Sequence, residues 1–322
     1  MRLHVPSLVP GHAEREGRLE MEREAIPFRE REGKVVWPEG KKLALAMYVA
    51  LEEWGEETIA KYQRPPALGP GTFLGMKRPD LAITTTIQYG FNVGIWRLLE
   101  IWEEMDVYPN LLSSALAAER HPDVFEVLVK RGQKVVGHGY DQGRFVAQLG
   151  KKGEVRKDVR RCVKVFEKVV GQRPKGWGSP GTRQYENLIE TLVEEGFEYH
   201  MGLHDDELPY ILKIKGKRLV EIPYRIVDTG ELNDYSMYSR NDCRTTPEAI
   251  DYMKVFFDAR YEDAQRRPAL MSLGVHPYIS GRPDRAKVIR EFFKYAKQFP
   301  DVWIASFDEV ADWWRKKFMT RR

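Results

Sequence analysis

Histidine is scarce in this chain, at seven in 322 residues, and one of the seven stands between two glycines. The stretch is Gln133-Lys134-Val135-Val136-Gly137-His138-Gly139-Tyr140-Asp141-Gln142, a short β-branched strand that stops at His138. Glycine on each side lets neighbouring backbone come close and leaves the imidazole facing open space. Two more histidines fall at predicted strand ends: His204, followed by Asp205 and Asp206, and His276, which Pro277 holds extended. A carboxylate pair, Glu52-Glu53, closes an earlier strand in the same way. Carboxylates and imidazoles gathered at one mouth could do general acid–base work, one group activating water and another protonating a departing atom. Each also has a duller origin. Glu52-Glu53 could be a turn in solvent, Asp205-Asp206 an acidic loop or cap, and His276 a plain strand end. The run Gly176-Trp177-Gly178-Ser179-Pro180-Gly181 packs turn formers around one tryptophan. It suggests a shaped loop in which Trp177 and Pro180 line a pocket, although the tryptophan could equally belong to the core.

Such residues need a scaffold that brings strand ends to one side. Residues 42–51 (KLALAMYVAL) form an apolar run of buried-strand type. Residues 55–88, with four prolines, read as a long irregular loop. Helices are expected over 95–105, 124–131, 154–170, 186–195, 247–261, 286–299 and 307–317. Strands are expected over 107–113, 133–137, 197–202, 211–228 (around a Lys215-Gly216-Lys217 turn), 269–275 and 302–305. Strand and helix alternate about seven times without a change of composition, which predicts one parallel α/β barrel over 41–322. Residues 1–40, polar and punctuated by proline, read as an extended N-terminal arm against the domain or a neighbouring subunit. In a barrel, residues at the C-terminal strand ends share the mouth where chemistry is done.

Composition narrows the classes further. With 42% hydrophobic residues the chain is globular. Fifty-two basic residues against 48 acidic ones, interspersed, offer no stripe for nucleic acid. Cys162 and Cys243 have neither metal-site nor disulfide-framework spacing. The first residues lack the apolar run of a signal peptide, and no segment is apolar enough to span a membrane, so a cytoplasmic protein is expected.

Read in order, five stretches resemble the polysaccharide deacetylase superfamily, and more closely its cofactor-sparing, allantoinase-like branch. They are Tyr89-Gly90-x-x-Val93-Gly94-Ile95-Trp96-Arg97, Gly137-His138-Gly139-Tyr140, Gly176-Trp177-x-x-Pro180-Gly181, Asp205-Asp206-x-x-Pro209-Tyr210 and His276-Pro277-Tyr278-x-x-Gly281-Arg282-Pro283-x-Arg285. The resemblance implies a distorted (β/α) barrel of about seven strands in a homo-oligomer, dimer or tetramer. Metal-dependent members carry an Asp-Asp pair after the first strand and a His-x-x-x-His pair; the corresponding positions here are Glu52-Glu53 and His138-x-x-x-Gln142. If zinc or another divalent metal were bound, Glu53, His138 and Gln142 would hold it, but glutamine is a poor exchange for imidazole at zinc. An arginine that begins the third family motif is replaced by Gly178.

The branch implies hydrolysis of a non-peptide C–N bond in a small, often cyclic amide, without a cofactor. On that reading Glu52 or Glu53, with His138, activates water and His276 protonates the leaving nitrogen. Gln142 and backbone N–H groups steady the oxyanion, and Tyr89 and Trp177 wall the pocket. Asp206 binds a ring or ureido N–H. Arg282 and Arg285 hold a substrate carboxylate or pair with a neighbouring acid. The alternatives are a zinc-dependent deacetylase of an N-acetylated sugar and a catalytically inactive barrel that binds small molecules or serves assembly.

Overall fold

The computed structural model describes residues 21–57, 78, 81–223, 232–234 and 244–319. Seven parallel strands form its frame. In spatial order they are β8 (Lys217–Ile222), β6 (Tyr199–Met201), β5 (Gly176–Gly178), β4 (Val135–Gly137), β3 (Asn110–Ser113), β2 (Leu43–Leu51) and β10 (Ala269–Val275). The short β9 (Leu232–Asn233) runs parallel to β10, and β11 (Val302–Ala305) pairs with the first half of β2. Two antiparallel strands, β7 (Tyr210–Ile214) and β1 (Met21–Glu24), extend the β8 edge. Among the described residues the path of paired strands ends at β1 and β9, which share no ladder. The parallel α/β barrel expected from the sequence is therefore present, in distorted form.

Strand β2 is buried at all nine positions, as its unbroken apolar sequence requires. Its odd-numbered residues, Leu43 to Leu51, join the large apolar cluster under the helices. Ala44, Ala46, Tyr48 and Ala50 face inward with Val136, Tyr199 and Met201. Trp37 and the helix Phe307–Trp314 close the base of that inner cluster. Small residues are needed inside because the tyrosines fill the space. A Cβ on Gly274 would lie 1.9 Å from the Tyr48 hydroxyl, and one on Gly176 would lie 2.0 Å from the Tyr199 ring.

Two expectations change. The irregular loop over 55–88 gives way to a helix at Leu81–Tyr89; residues 58–77, 79 and 80 lie outside the described residues. Residues 21–40 of the arm supply a sheet strand and a buried tryptophan against the domain, and residues 1–20 lie outside the described residues. Trp177 is no pocket wall. Period-two alternation turns it outward between the inward positions 176 and 178, where it packs edge-on against Phe197 and is fully buried. Pro180, also buried, packs against Gly139. Truncating Trp177 to alanine is expected to lower stability by about 3–5 kcal/mol in denaturant unfolding, and phenylalanine by much less. Unchanged stability with a raised KM would return it to the pocket.

Candidate active site

Carrying the alternation of β2 one step past its end puts Glu52 inside the barrel and Glu53 outside. The two side chains accordingly meet different partners. Glu52 is buried between two imidazoles, with Oε1 3.3 Å from His138 Nε2 and Oε2 3.5 Å from His276 Nε2. His138 follows β4 and His276 follows β10, so three strand ends converge on one carboxylate. Each ring is fixed from behind. The Gly178 carbonyl accepts from His138 Nδ1 at 2.6 Å, and Asp234 Oδ1 accepts from His276 Nδ1 at 2.9 Å. Both Nε2 atoms are thereby aimed at Glu52.

Asp234 is fully buried at the end of β9, beside β10. Its Oδ2 accepts from the His276 backbone N–H at 2.5 Å and from the Ser280 hydroxyl at 3.1 Å. Burial by itself would raise the Glu52 pKa, but the charge of His276 and hydrogen bonds from both histidines override it and lower the value from 4.5 to about 2. Burial pulls the other way on His276, which Asp234 and Glu52 together raise from 6.5 to about 10. At neutral pH the pair is a carboxylate and an imidazolium.

Gln142 joins this group. Its Nε2 donates to Glu52 Oε1 at 2.6 Å and lies 3.1 Å from His138 Nε2. The reversed amide would set an oxygen 2.6 Å from a carboxylate oxygen, so repulsion fixes the orientation. An amide nitrogen has no lone pair to offer a metal, and Glu53 is turned away. Among the described residues no group of three or more His, Cys, Asp or Glu is arranged to hold one. The donor set expected for zinc, Glu53 with His138 and Gln142, does not fit a metal.

Other expected site residues stand elsewhere. Glu53, 1% exposed, is held by His121 Nε2 at 2.8 Å, Arg120 Nη1 at 2.9 Å and Gln88 Nε2 at 2.9 Å. Asp206 is no substrate donor or acceptor: Arg23 and Arg31 from the N-terminal segment neutralise it, and the backbone N–H groups of Glu207 and Leu208 bind its Oδ1. Tyr89 and Arg282 form a group of their own. The Arg282 guanidinium stands 4.8 Å from the Tyr89 ring centroid, and Arg97 donates to the Tyr89 hydroxyl at 3.0 Å. Asp234 was not anticipated from sequence. Its signal was a carboxylate directly after a very short strand, the pattern that Glu52 displays at the end of a long one.

A family model described as polysaccharide deacetylase matches residues 77–200. A peptidoglycan deacetylase of Helicobacter pylori is 25% identical over 271 residues, covering 75% of this chain and 90% of its own. Two solved structures are each 26% identical. A "probable Polysaccharide deacetylase" of Pseudomonas aeruginosa has a TM-score of 0.75 and covers 88% of this chain and 94% of its own. Puue Allantoinase has a TM-score of 0.76, with 88% and 93% covered. These likenesses support a hydrolase acting on non-peptide carbon–nitrogen bonds. The chain is thus similar to polysaccharide deacetylases over most of its length. The two structural likenesses are equal, so they do not single out the allantoinase-like branch that the motifs suggested.

His276 is raised and Glu52 lowered, so the pair's contribution to stability is whole between pH 4.5 and 6.5. It fades as pH climbs through about 10 or falls through about 2. Asp234→Asn is expected to bring the His276 midpoint down by about one unit or more in an NMR titration. An unmoved midpoint would mean that Asp234 does not support its charge.

Proposed function

We propose that this protein removes an acetyl group from an N-acetylated amino sugar by hydrolysing its amide bond. The observation that carries the reading is the Glu52 carboxylate held between His138 and the Asp234-backed His276. Support comes from the likeness, over most of both chains, to a peptidoglycan deacetylase and to a probable polysaccharide deacetylase. In the free protein Glu52, near 2, is too weak a base and His276, near 10, too weak an acid for efficient proton transfer at neutral pH. Water and an amide entering between them lengthen the contact, and each pKa moves back toward neutrality.

Glu52 then takes a proton from the attacking water as its oxygen adds to the acetyl carbon. His276 gives its Nε2 proton to the nitrogen as the C–N bond breaks, leaving acetic acid, which ionises to acetate in solvent, and a free amine. Glu52 releases its proton to solvent and His276 takes one back, which restores the pair. His138, its Nδ1–H spent on Gly178, turns Nε2 toward Glu52 and the Gln142 amide nitrogen and so lines the site. Gln142 braces Glu52, since its amide nitrogen is already engaged there; this replaces the oxyanion role expected from sequence.

A second reading, hydrolysis of a small cyclic amide by the same groups, is favoured by the Gln142 position and the likeness to Puue Allantoinase. Release of amine from N-acetylglucosamine oligomers, set beside ring opening of allantoin and hydantoin, decides between them. Glu52→Gln and His276→Ala are each expected to lower kcat about 100-fold or more with the fold intact. Full turnover in either variant would remove that residue from the chemistry. A chelator is expected to leave the rate unchanged, because the donor set does not suit a metal; loss of activity restored by zinc would overturn that expectation.

A further inference from the structure

Glu53 lies beside the reacting carboxylate in sequence yet on the opposite side of the barrel wall, and it is 1% exposed. A buried carboxylate without a share in the chemistry calls for an explanation, because burying its charge is costly unless that charge is answered. Three elements answer it. Gln88 ends the helix Leu81–Tyr89, Arg120 ends the helix Ala115–Arg120, and His121 opens the helix Pro122–Lys130.

The backbone of Glu53 is engaged too. Its N–H donates to the Ser114 hydroxyl at 3.0 Å, and its carbonyl accepts from the Gln142 N–H at 3.0 Å. The residue that braces Glu52 from within is thus tied through its main chain to Glu53. A second path leads to His276. The His121 ring stacks on Phe91, centroids 3.8 Å apart and planes 7° from parallel. Phe91 belongs to the π-helical stretch Gly90–Gly94, which is pressed onto the segment after His276: a Cβ on Gly94 would lie 2.1 Å from the Pro277 carbonyl oxygen.

We propose that Glu53 is a positioning residue, whose outward carboxylate locks the strand end so that Glu52 meets His138 and His276 at the distances the reaction needs. This rests on the reading of Glu52 and the two histidines as the reacting groups. Glu53 exchanges no proton with substrate; it sets a geometry, and misplacement of about 1 Å in such a site can cost on the order of 100-fold in rate.

The test compares Glu53→Ala, Glu53→Gln and Arg120→Ala by kcat, KM, melting temperature and the ring Cε1–H resonances of His138 and His276 in histidine-labelled protein. The expected result for Glu53→Ala is a kcat lower by about 100-fold, a KM within about threefold, and both resonances displaced. Glu53→Gln, which keeps an oxygen acceptor, should recover part of the rate. If Glu53→Ala does not fold, Arg120→Ala decides: its side chain is partly exposed, and the same displacement with a smaller fall in kcat is expected. A lower melting temperature with kcat and resonances unchanged would overturn the proposal in favour of a purely structural role. Lost activity with unmoved resonances would also overturn it, by putting Glu53 on the substrate. The resonances need no substrate, so their displacement would uphold the positioning role even where no sugar amide is turned over.

Discussion

A carboxylate buried inside a barrel must have its charge answered there, and the rest of the site follows from how Glu52 is answered. Two imidazoles supply the reply, one from each neighbouring side, and each then requires its far nitrogen to be occupied. The Gly178 carbonyl satisfies one and Asp234 the other. Asp234, itself buried, draws in Ser280 and the His276 backbone. Requirements of this kind spread outward until they reach groups whose needs secondary structure already meets. Most of these contacts join side chains, and the Gly178 carbonyl and the His276 N–H are the two points where the network is anchored to backbone.

Alternation along the strands decides which residues can take part at all. Glu52 and Glu53 are the same residue type one step apart, and the chain sorts them by parity alone. Trp177 is excluded by the same rule, despite standing amid the glycines that make its loop conspicuous. The element pattern was legible because apolar runs and glycine stops report burial directly; β2, β10 and the helix beginning at Ile95 fall within a residue or so of expectation. His138 and His276 stood out because each closes an apolar strand in a chain with few histidines.

What remained hidden depended on partners far along the chain. Asp206 looked like a loop acid open to a ligand, yet Arg23 and Arg31 neutralise it, and nothing near Asp206 announces them. Asp234 follows a strand of two residues, too short for periodicity to register. The partners of Glu53 come from three helices, none of which borders it in sequence. Side-chain pairing across a fold leaves no local trace, whereas backbone state does.

The contact of Arg23 with Asp206 spans 183 positions, and among the described residues the strand that carries Arg23 pairs only with β7, about as far away. During synthesis that N-terminal strand leaves the ribosome early and waits for most of the barrel before its partner exists. Its unpaired edge is open to other chains in the interval. The alternating charges of Met21-Glu22-Arg23-Glu24, ill suited to pairing with a copy of itself in register, give the waiting segment some protection. Docking of that strand is then a late event, and the contact that covers the β7 edge also settles Asp206.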